Sequence, residues 1–398
     1  MINAASARNR SGALRSLAVR CVAWVAENAV LLYSRPRNRG SDVLLVRLDA
    51  IGDFILWIDA AKELRALLPD RRLVLVANSI WADVAACLPF WDEVWPVDVS
   101  RLKRHGMYRW KLMAALRKRG FDIAIQPTHS RSFMEGDTVV RASGARDRIG
   151  AAGDDRRMLG WQRKVSDGWY TRLVPSRAER MTELERNAEF LRNLGREGFA
   201  ESLPRLPKLA ELPADLRIRQ PYLILFPGAS WSGRQWPPAR FAEIADGLVR
   251  ETGLMAIVCG SEPEAMLCQQ VVESSHANMM NFAGKTSLPQ FVELVREARL
   301  LIGNETSAIH IAASVGTPAV CILGGGHYGR FLPYGQAVDR AARLEIVIRA
   351  MPCFGCDWQC SQPHEPGAAV PCIGEIPVRE VMDASRRALG TQTALALA

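Results

Sequence analysis

Runs of apolar residues alternate with helical periodicity along most of this chain. Val43–Val46, Leu73–Val76, Glu93–Val97 and Ile123–Ile125 read as strands. Between them Ile55–Leu68, Ile80–Leu88 and Tyr108–Lys118 carry apolar positions at helical spacing. Strands that alternate with helices predict a parallel sheet with helices on both faces. Residues 130–180 are rich in Arg, Asp and Gly with little periodicity, and predict an irregular insertion. A helix is predicted over Glu183–Leu194. The stretch Leu203–Leu216, punctuated by Pro204, Pro207 and Pro213, then predicts a linker.

The pattern restarts beyond it. Tyr222–Gly228, Met255–Gly260, Ala298–Asn304 and Pro318–Gly325 read as strands, with helices over Arg240–Glu251, Pro263–Ser274 and Ser307–Val315. Two successive α/β units suit a chain of 398 residues, which is long for one core. The expected division is a basic amphipathic segment over 1–40, one Rossmann-like domain over 41–205 and a second over 206–398.

Charge adds a feature at the start. The net charge is +9, and residues 1–40 hold seven arginines against the single acid Glu27. The apolar run Leu17–Tyr33 is short for a membrane span and is interrupted by Arg20, Glu27 and Asn28. It fits either an interfacial helix on an anionic membrane or a solvated or core-packed helix. A secretory signal fits poorly. Nine cysteines, an odd number, argue against a disulfide scaffold. Cys353, Cys356, Cys360 and Cys372 follow the spacing C-x2-C-x3-C-x11-C, which makes them a weak zinc candidate, because paired C-x2-C knuckles are missing.

Three segments carry candidate chemistry. In PGASWSGRQWPPARF, Gly228, Ser230, Ser232 and Gly233 form a small-residue loop whose N–H groups can approach an anion, and Arg234 adds a permanent cation. In LIGNETSAIHIAASVG, a strand ends at Asn304 and a helix starts at Thr306 or Ser307, with Glu305 before it and His310 one turn in. Such a helix start attracts anions, although simple capping would use the same residues. In VCGSEPEAML, Glu262 and Glu264 open a helix and could accept ribose hydroxyls. The GGGHYG stretch, Gly324–Gly329, has the glycine spacing of a dinucleotide fingerprint, but Pro333 stands where its helix should run. P-loop, HExxH and GxSxG patterns are absent.

Together with VLLVRLDAIGDFILWIDAAKEL at the start, these segments resemble glycosyltransferase family 9, the ADP-heptose:lipopolysaccharide heptosyltransferase family. Their order and spacing fit from about residue 42 to 385. The resemblance implies a GT-B architecture, two Rossmann-like domains whose parallel sheets face an interdomain cleft. The C-terminal domain would hold the sugar nucleotide, expected to be ADP-heptose, and the N-terminal domain a lipopolysaccharide core or related glycan acceptor. Transfer would be inverting and metal-independent, with no cofactor.

The resemblance also makes Asp53, in the IGD turn, the catalytic base. A carboxylate past a strand's carboxyl end suits that role, and would equally serve as a helix cap. Gly228, Ser230, Arg234, Glu262, Glu305, Thr306, Ser307 and His310 become donor-site residues, with Glu264 as the alternative to Glu262. Arg234 stands where the family usually has lysine, and Glu305-Thr306-Ser307 where it commonly has D-[TS]-G.

The basic stretch Arg101–Arg119, with Arg104, Arg109 and Lys111 as candidate contacts, could meet an anionic lipid-linked acceptor or the inner membrane. It could equally be a solvated helix face. No nucleic-acid motif accompanies it, so nucleic acid is not an expected partner. A cytoplasmic enzyme, peripheral on the inner membrane, follows from the resemblance. Two other readings share the scaffold, a sugar-nucleotide 2-epimerase and a non-catalytic glycan-binding protein.

Overall fold

The computed structural model describes residues 40–395. The basic segment at the start therefore lies outside the described residues. Two compact units emerge.

Residues 40–49, 64–178 and 193–197 form the first unit. Its strands are β1 (Val43–Arg47), β2 (Leu73–Asn78), β3 (Glu93–Val97), β4 (Ile123–Gln126), β5 (Asp147–Ala151) and β6 (Arg172–Val174). All pair in parallel, in the order β3-β2-β1-β4-β5-β6. Every residue of β1 and β2 is buried. Strands covered on both faces read as unbroken apolar runs, which is why both were visible in the sequence.

The irregular insertion expected over 130–180 is corrected here. That segment supplies β5, β6 and the helix Gly160–Asp167. These strands lie toward one edge and are only partly buried, so arginines and an aspartate occupy them without cost and hide the pattern. Gly150 in β5 is needed for packing: a Cβ there would lie 2.4 Å from the Tyr170 ring.

The second unit takes residues 50–63, 179–192 and everything from 198 onward. Its strands β7 (Tyr222–Phe226), β8 (Met255–Val258), β9 (Met279–Asn281), β10 (Leu300–Asn304), β11 (Ala319–Leu323) and β12 (Leu344–Ile348) are ordered β12-β11-β10-β7-β8-β9. A core built on Trp236, Phe241, Leu248 and Val320 sits against this sheet.

Thus the units do not divide at the proline-rich stretch, as the sequence suggested. Residues 203–216 belong wholly to the second unit, where Leu206 N donates to Ser314 O at 3.1 Å and Leu209 N to Glu293 Oε1 at 2.7 Å. The helix start at residue 51 and the helix Glu183–Leu194 join it too. Asn187 Nδ2 donates to Leu56 O (3.1 Å), and Glu183 N to Arg330 O (2.7 Å). Proline content reports local stiffness and not which core a segment packs on.

Both sheets have the same doubly wound order. The order reverses between β1 and β4 in the first and between β7 and β10 in the second. Ligands bind such sheets beyond the carboxyl ends of the strands at this reversal. In the second unit the loops leaving β7 and β10 are tied there by Asn304, which is 1 % exposed. Its Oδ1 accepts from Trp236 N at 3.1 Å and its Nδ2 donates to Pro227 O at 2.7 Å.

Replacing Asn304 by Ala leaves both backbone groups buried without that partner, and should cost about 2–4 kcal/mol of the second unit's stability. A lowered urea midpoint at unchanged slope is the expected result; an unchanged midpoint would mean the loops are held by other contacts.

Candidate active site

The loop after β7 starts at Pro227–Gly228. Glu264 lies directly on Gly228: a Cβ there would be 2.0 Å from Glu264 Oε1 and would displace the carboxylate. Glu264 closes a capping box, with Oε2 accepting from Ser261 N and Ser261 Oγ, both at 2.7 Å. Glu264 is therefore the acid brought against the β7 loop. Glu262, the first choice from sequence, is exposed and packs beside Gly284, whose Cβ would come 3.1 Å from Glu262 Cα.

Arg234 joins the two loops. Its Nη1 donates to Ser230 Oγ (3.1 Å), and its Nη2 to Glu305 O (2.7 Å) and Oε2 (3.1 Å). The guanidinium also stacks over the Trp358 ring at 4.7 Å. Glu305 is 4 % exposed, and its burial outweighs the attraction of Arg234, so its pKa rises to about 7.

Thr306 precedes the helix Ser307–Val315 as its N-cap residue, yet no side chain caps that helix. The Thr306 hydroxyl is buried without a hydrogen-bond partner. The capping expected of Thr306 is thus not made, which leaves the helix start open to an outside acceptor.

One turn further in, buried His310 shares a 2.5 Å hydrogen bond between Nδ1 and Tyr334 Oη. Burial, helped by the charge of Arg234, lowers the imidazole pKa to about 3, so His310 is neutral at physiological pH. Burial also pushes the Tyr334 hydroxyl well above its ordinary range.

Gly52 packs directly on this turn. A Cβ at Gly52 would be 3.0 Å from His310 Cδ2 and 3.9 Å from Ser307 Cα. Asp53 follows it in the first turn of the helix Ile51–Leu67 and is partly exposed. Gly52, with Asp53 next to it in the chain, thus lies against the neutral imidazole and the open helix start on the second unit.

The first unit has its own polar cluster at the β1/β4 reversal. Asp49 is held by Arg47 Nε at 2.8 Å and by Thr128 Oγ1 at 3.1 Å. Nearby, Lys103 Nζ lies 2.6 Å from Glu135 Oε1, and Arg157 lies within 4.0 Å of both acids. In the basic stretch, Arg104 and Lys111 are exposed, beside Met107 (67 % exposed) and Trp110 (44 %). Arg109 must be corrected. It is 2 % exposed and bonded internally to Met134 O and Thr138 Oγ1, because its position on the helix Gly106–Arg119 points it inward.

The cysteines among the described residues form no disulfide. Cys372 is buried and accepts a 3.4 Å contact from Gly325 N, whereas Cys353, Cys356 and Cys360 are half-exposed. Among the described residues no group of three or more His, Cys, Asp or Glu is arranged to hold a metal ion, so the zinc expectation gains no support. Around them, Phe354 and Trp358 lie on Gly325 and Gly326, where a Cβ would come within 2.2 and 2.3 Å. Trp358 and Tyr334 are the residues the sequence reading missed. The first sat inside a segment read only for its thiols, and the second carried no local signal.

Two doubly wound parallel sheets of six strands each are the GT-B architecture. The family model "Glycosyltransferase family 9 (heptosyltransferase)" matches residues 109–357. The chain belongs to that family. It is 21 % identical to lipopolysaccharide heptosyltransferase 3 of Escherichia coli, over 69 % of this chain and 80 % of that protein. It is 22 % identical to lipopolysaccharide heptosyltransferase 1 of Pseudomonas aeruginosa, over 74 % and 82 %. The solved structure of E. coli ADP-heptose lps heptosyltransferase II superposes with a TM-score of 0.65, at 16 % identity over 88 % of this chain and 99 % of that one.

Glu305 sets a pH dependence. Its raised pKa means it ionises near pH 7, and the new charge repels a diphosphate at the same loops. Affinity for an ADP-sugar, whose doubly esterified diphosphate does not titrate, should fall about tenfold from pH 6 to pH 8. Glu305→Gln should flatten that profile in calorimetric titrations. A flat profile in the unaltered protein would contradict the assignment.

Proposed function

We propose that this glycosyltransferase moves heptose from ADP-heptose onto an anionic, lipid-linked lipopolysaccharide core acceptor, with inversion and without a metal ion. The donor and acceptor follow what the relatives' names state of those proteins. The observation that carries the catalytic part is the packing of Gly52 on His310, which sets Asp53 beside the donor loops.

In the proposed reaction an acceptor hydroxyl attacks the anomeric carbon opposite the diphosphate. Asp53 accepts the hydroxyl proton as the new C–O bond forms. The bond to the diphosphate breaks, and its electron pair leaves on a phosphate oxygen. Arg234 and the uncapped N–H groups at Thr306–Ser307 take that growing charge. They are held in place before the reaction, so little reorganisation is needed.

His310 cannot supply a cation here, because its burial keeps it neutral. Its part is to orient. The Nδ1–Tyr334 Oη hydrogen bond fixes the ring, and Gly52 keeps a side chain out of the way. Glu264, beside Gly228, takes the ribose hydroxyls in preference to Glu262.

For the acceptor, the first unit offers Arg157 and Lys103 near the β1/β4 reversal. Arg104 and Lys111 flank exposed Met107 and Trp110, and such a mixture of cations and apolar groups suits the surface of an anionic membrane. No helix among the described residues is long and apolar enough to cross one. The proposed location is therefore peripheral, on the cytoplasmic face of the inner membrane.

Asp53→Asn removes the base and keeps the shape. The expected outcome is a fall in kcat of about 10²–10⁴ with nucleotide affinity nearly unchanged. Radiolabelled ADP-heptose, with and without heptose-free core acceptor, reads the transfer. Undiminished turnover would remove Asp53 from the mechanism, and conversion of the donor without acceptor would favour an epimerase.

A further inference from the structure

Nine large apolar side chains stand exposed among the described residues, and five of them belong to two short elements of the first unit. Met107 and Trp110 lie on the helix Gly106–Arg119. Leu159 (61 % exposed), Trp161 (58 %) and Val165 (42 %) lie on, or just before, the helix Gly160–Asp167. Single exposed apolar groups need no explanation, but five within two elements do.

The shorter helix presents its apolar groups outward. Trp161, Lys164 and Val165 are spaced i, i+3 and i+4, and share one exposed face. Trp161 meets the Phe133 ring edge-on, at 5.6 Å between centroids, and still leaves more than half of itself uncovered. The inner side is held by polar contacts. Ser166 is buried, and Asp167 pairs with buried Arg131 and with Arg163. A helix that packs on a core has the opposite arrangement.

The two elements adjoin. Lys103, before the longer helix, and Arg157, before the shorter one, share the carboxylate of Glu135, at 2.6 Å from Oε1 and 3.7 Å from Oε2. The turn Phe133–Asp137 that carries Glu135 also accepts from buried Arg109 at Met134 O. Arg157 in turn lies 4.0 Å from Asp49, so this surface borders the β1/β4 reversal.

Charge decides what covers it. Residues 99–121 include eight arginines and lysines and no acid, and residues 156–166 include four and no acid. Of these Arg101, Arg104, Lys111 and Lys164 are exposed. A second copy of the chain would set one acid-free surface against another, which like charges oppose. An anionic bilayer supplies phosphates for the cations and an interface that suits tryptophan.

We propose that Leu159, Trp161 and Val165 insert into an anionic bilayer, with the basic helix beside them lying against the headgroups. This rests on the membrane location proposed above and gives it an inserting element, so that docking is apolar as well as electrostatic. The β1/β4 reversal then lies next to the lipid surface, where a lipid-linked acceptor is presented.

The test sediments the full chain with phosphatidylcholine vesicles containing phosphatidylglycerol. Donor and acceptor are left out, so the result does not depend on the transfer reaction. Trp161→Ser/Val165→Ser should lower the partition coefficient about 10- to 100-fold, and the loss should persist at high salt. Lys164→Glu should lower it about tenfold at low salt, with no effect on vesicles of phosphatidylcholine alone. Each variant decides independently, and ADP affinity should be unchanged in both. Undiminished binding by either variant would overturn the proposal, as would equal binding to vesicles with and without phosphatidylglycerol. Self-association that rises with protein concentration and is lost in the double variant would overturn it in favour of a second copy.

Discussion

Asn304 is the constraint on which the loops at the reversal of the second sheet rest. A doubly wound sheet necessarily opens a gap where its strand order reverses, because the connections on either side run to opposite faces. Left alone, the two loops at that gap would diverge. One buried carboxamide spans them, accepting from Trp236 N and donating to Pro227 O. Trp236 is itself fully buried, with its indole N–H bonded to Ile376 O at 3.0 Å. The loop carrying Gly228, Ser230 and Arg234 is thereby fixed at both ends to the sheet core. The following residue, Glu305, then meets Arg234 at hydrogen-bond distance.

Electrostatics at these loops follow from burial more than from pairing. Arg234 and Glu305 are 14 % and 4 % exposed in their side chains. A buried pair loses hydration on both partners, and the Coulombic gain need not repay it. The carboxyl responds by moving its pKa up to about 7. His310, equally buried and next to the same cation, responds by staying neutral. The outcome is one dependable positive charge, one carboxyl able to give up its own, and an uncapped helix start. That balance leaves the loops net cationic when Glu305 is protonated, and a stronger acid at position 305 would remove the excess.

Much of this was legible in the sequence for a simple reason. Central strands such as β1, β2, β7 and β10 are buried on both faces and read as apolar runs, and Ser307–Val315 has a clear start and a glycine stop at Gly316. The edge strand β3 was legible, but the other elements toward the edges were not. β9 has three residues, β12 is only partly buried, and β5 with β6 carry charge. The site shows the same divide. Glu305 and His310 could be named because they stand beside a strand end. Tyr334, Trp358 and the choice of Glu264 over Glu262 depend on contacts made far along the chain. The burial of Arg109 inside an apparently basic face also has no local signature, since its neighbours Arg104 and Lys111 are exposed.

Trp358 illustrates how a distant segment completes the loops. Asp357 and Trp358 both take left-handed backbone angles, φ 49° and 63°, which turn the indole back onto the sheet edge. Gly324 and Gly326 admit it, since a Cβ at either would stand 2.7 or 2.3 Å from the ring. The ring then lies under the Arg234 guanidinium and edge-on to Trp231 and His327. A stacked guanidinium keeps its hydrogen-bonding edges free in the plane while its faces are shielded from water. The glycines that resemble a dinucleotide fingerprint are therefore there to receive an aromatic ring. The ring in turn limits how far Arg234 can swing away from the loops it joins. An interaction of this kind ties the C-terminal segment to the loops at the strands' carboxyl ends through an aromatic ring that bears no charge.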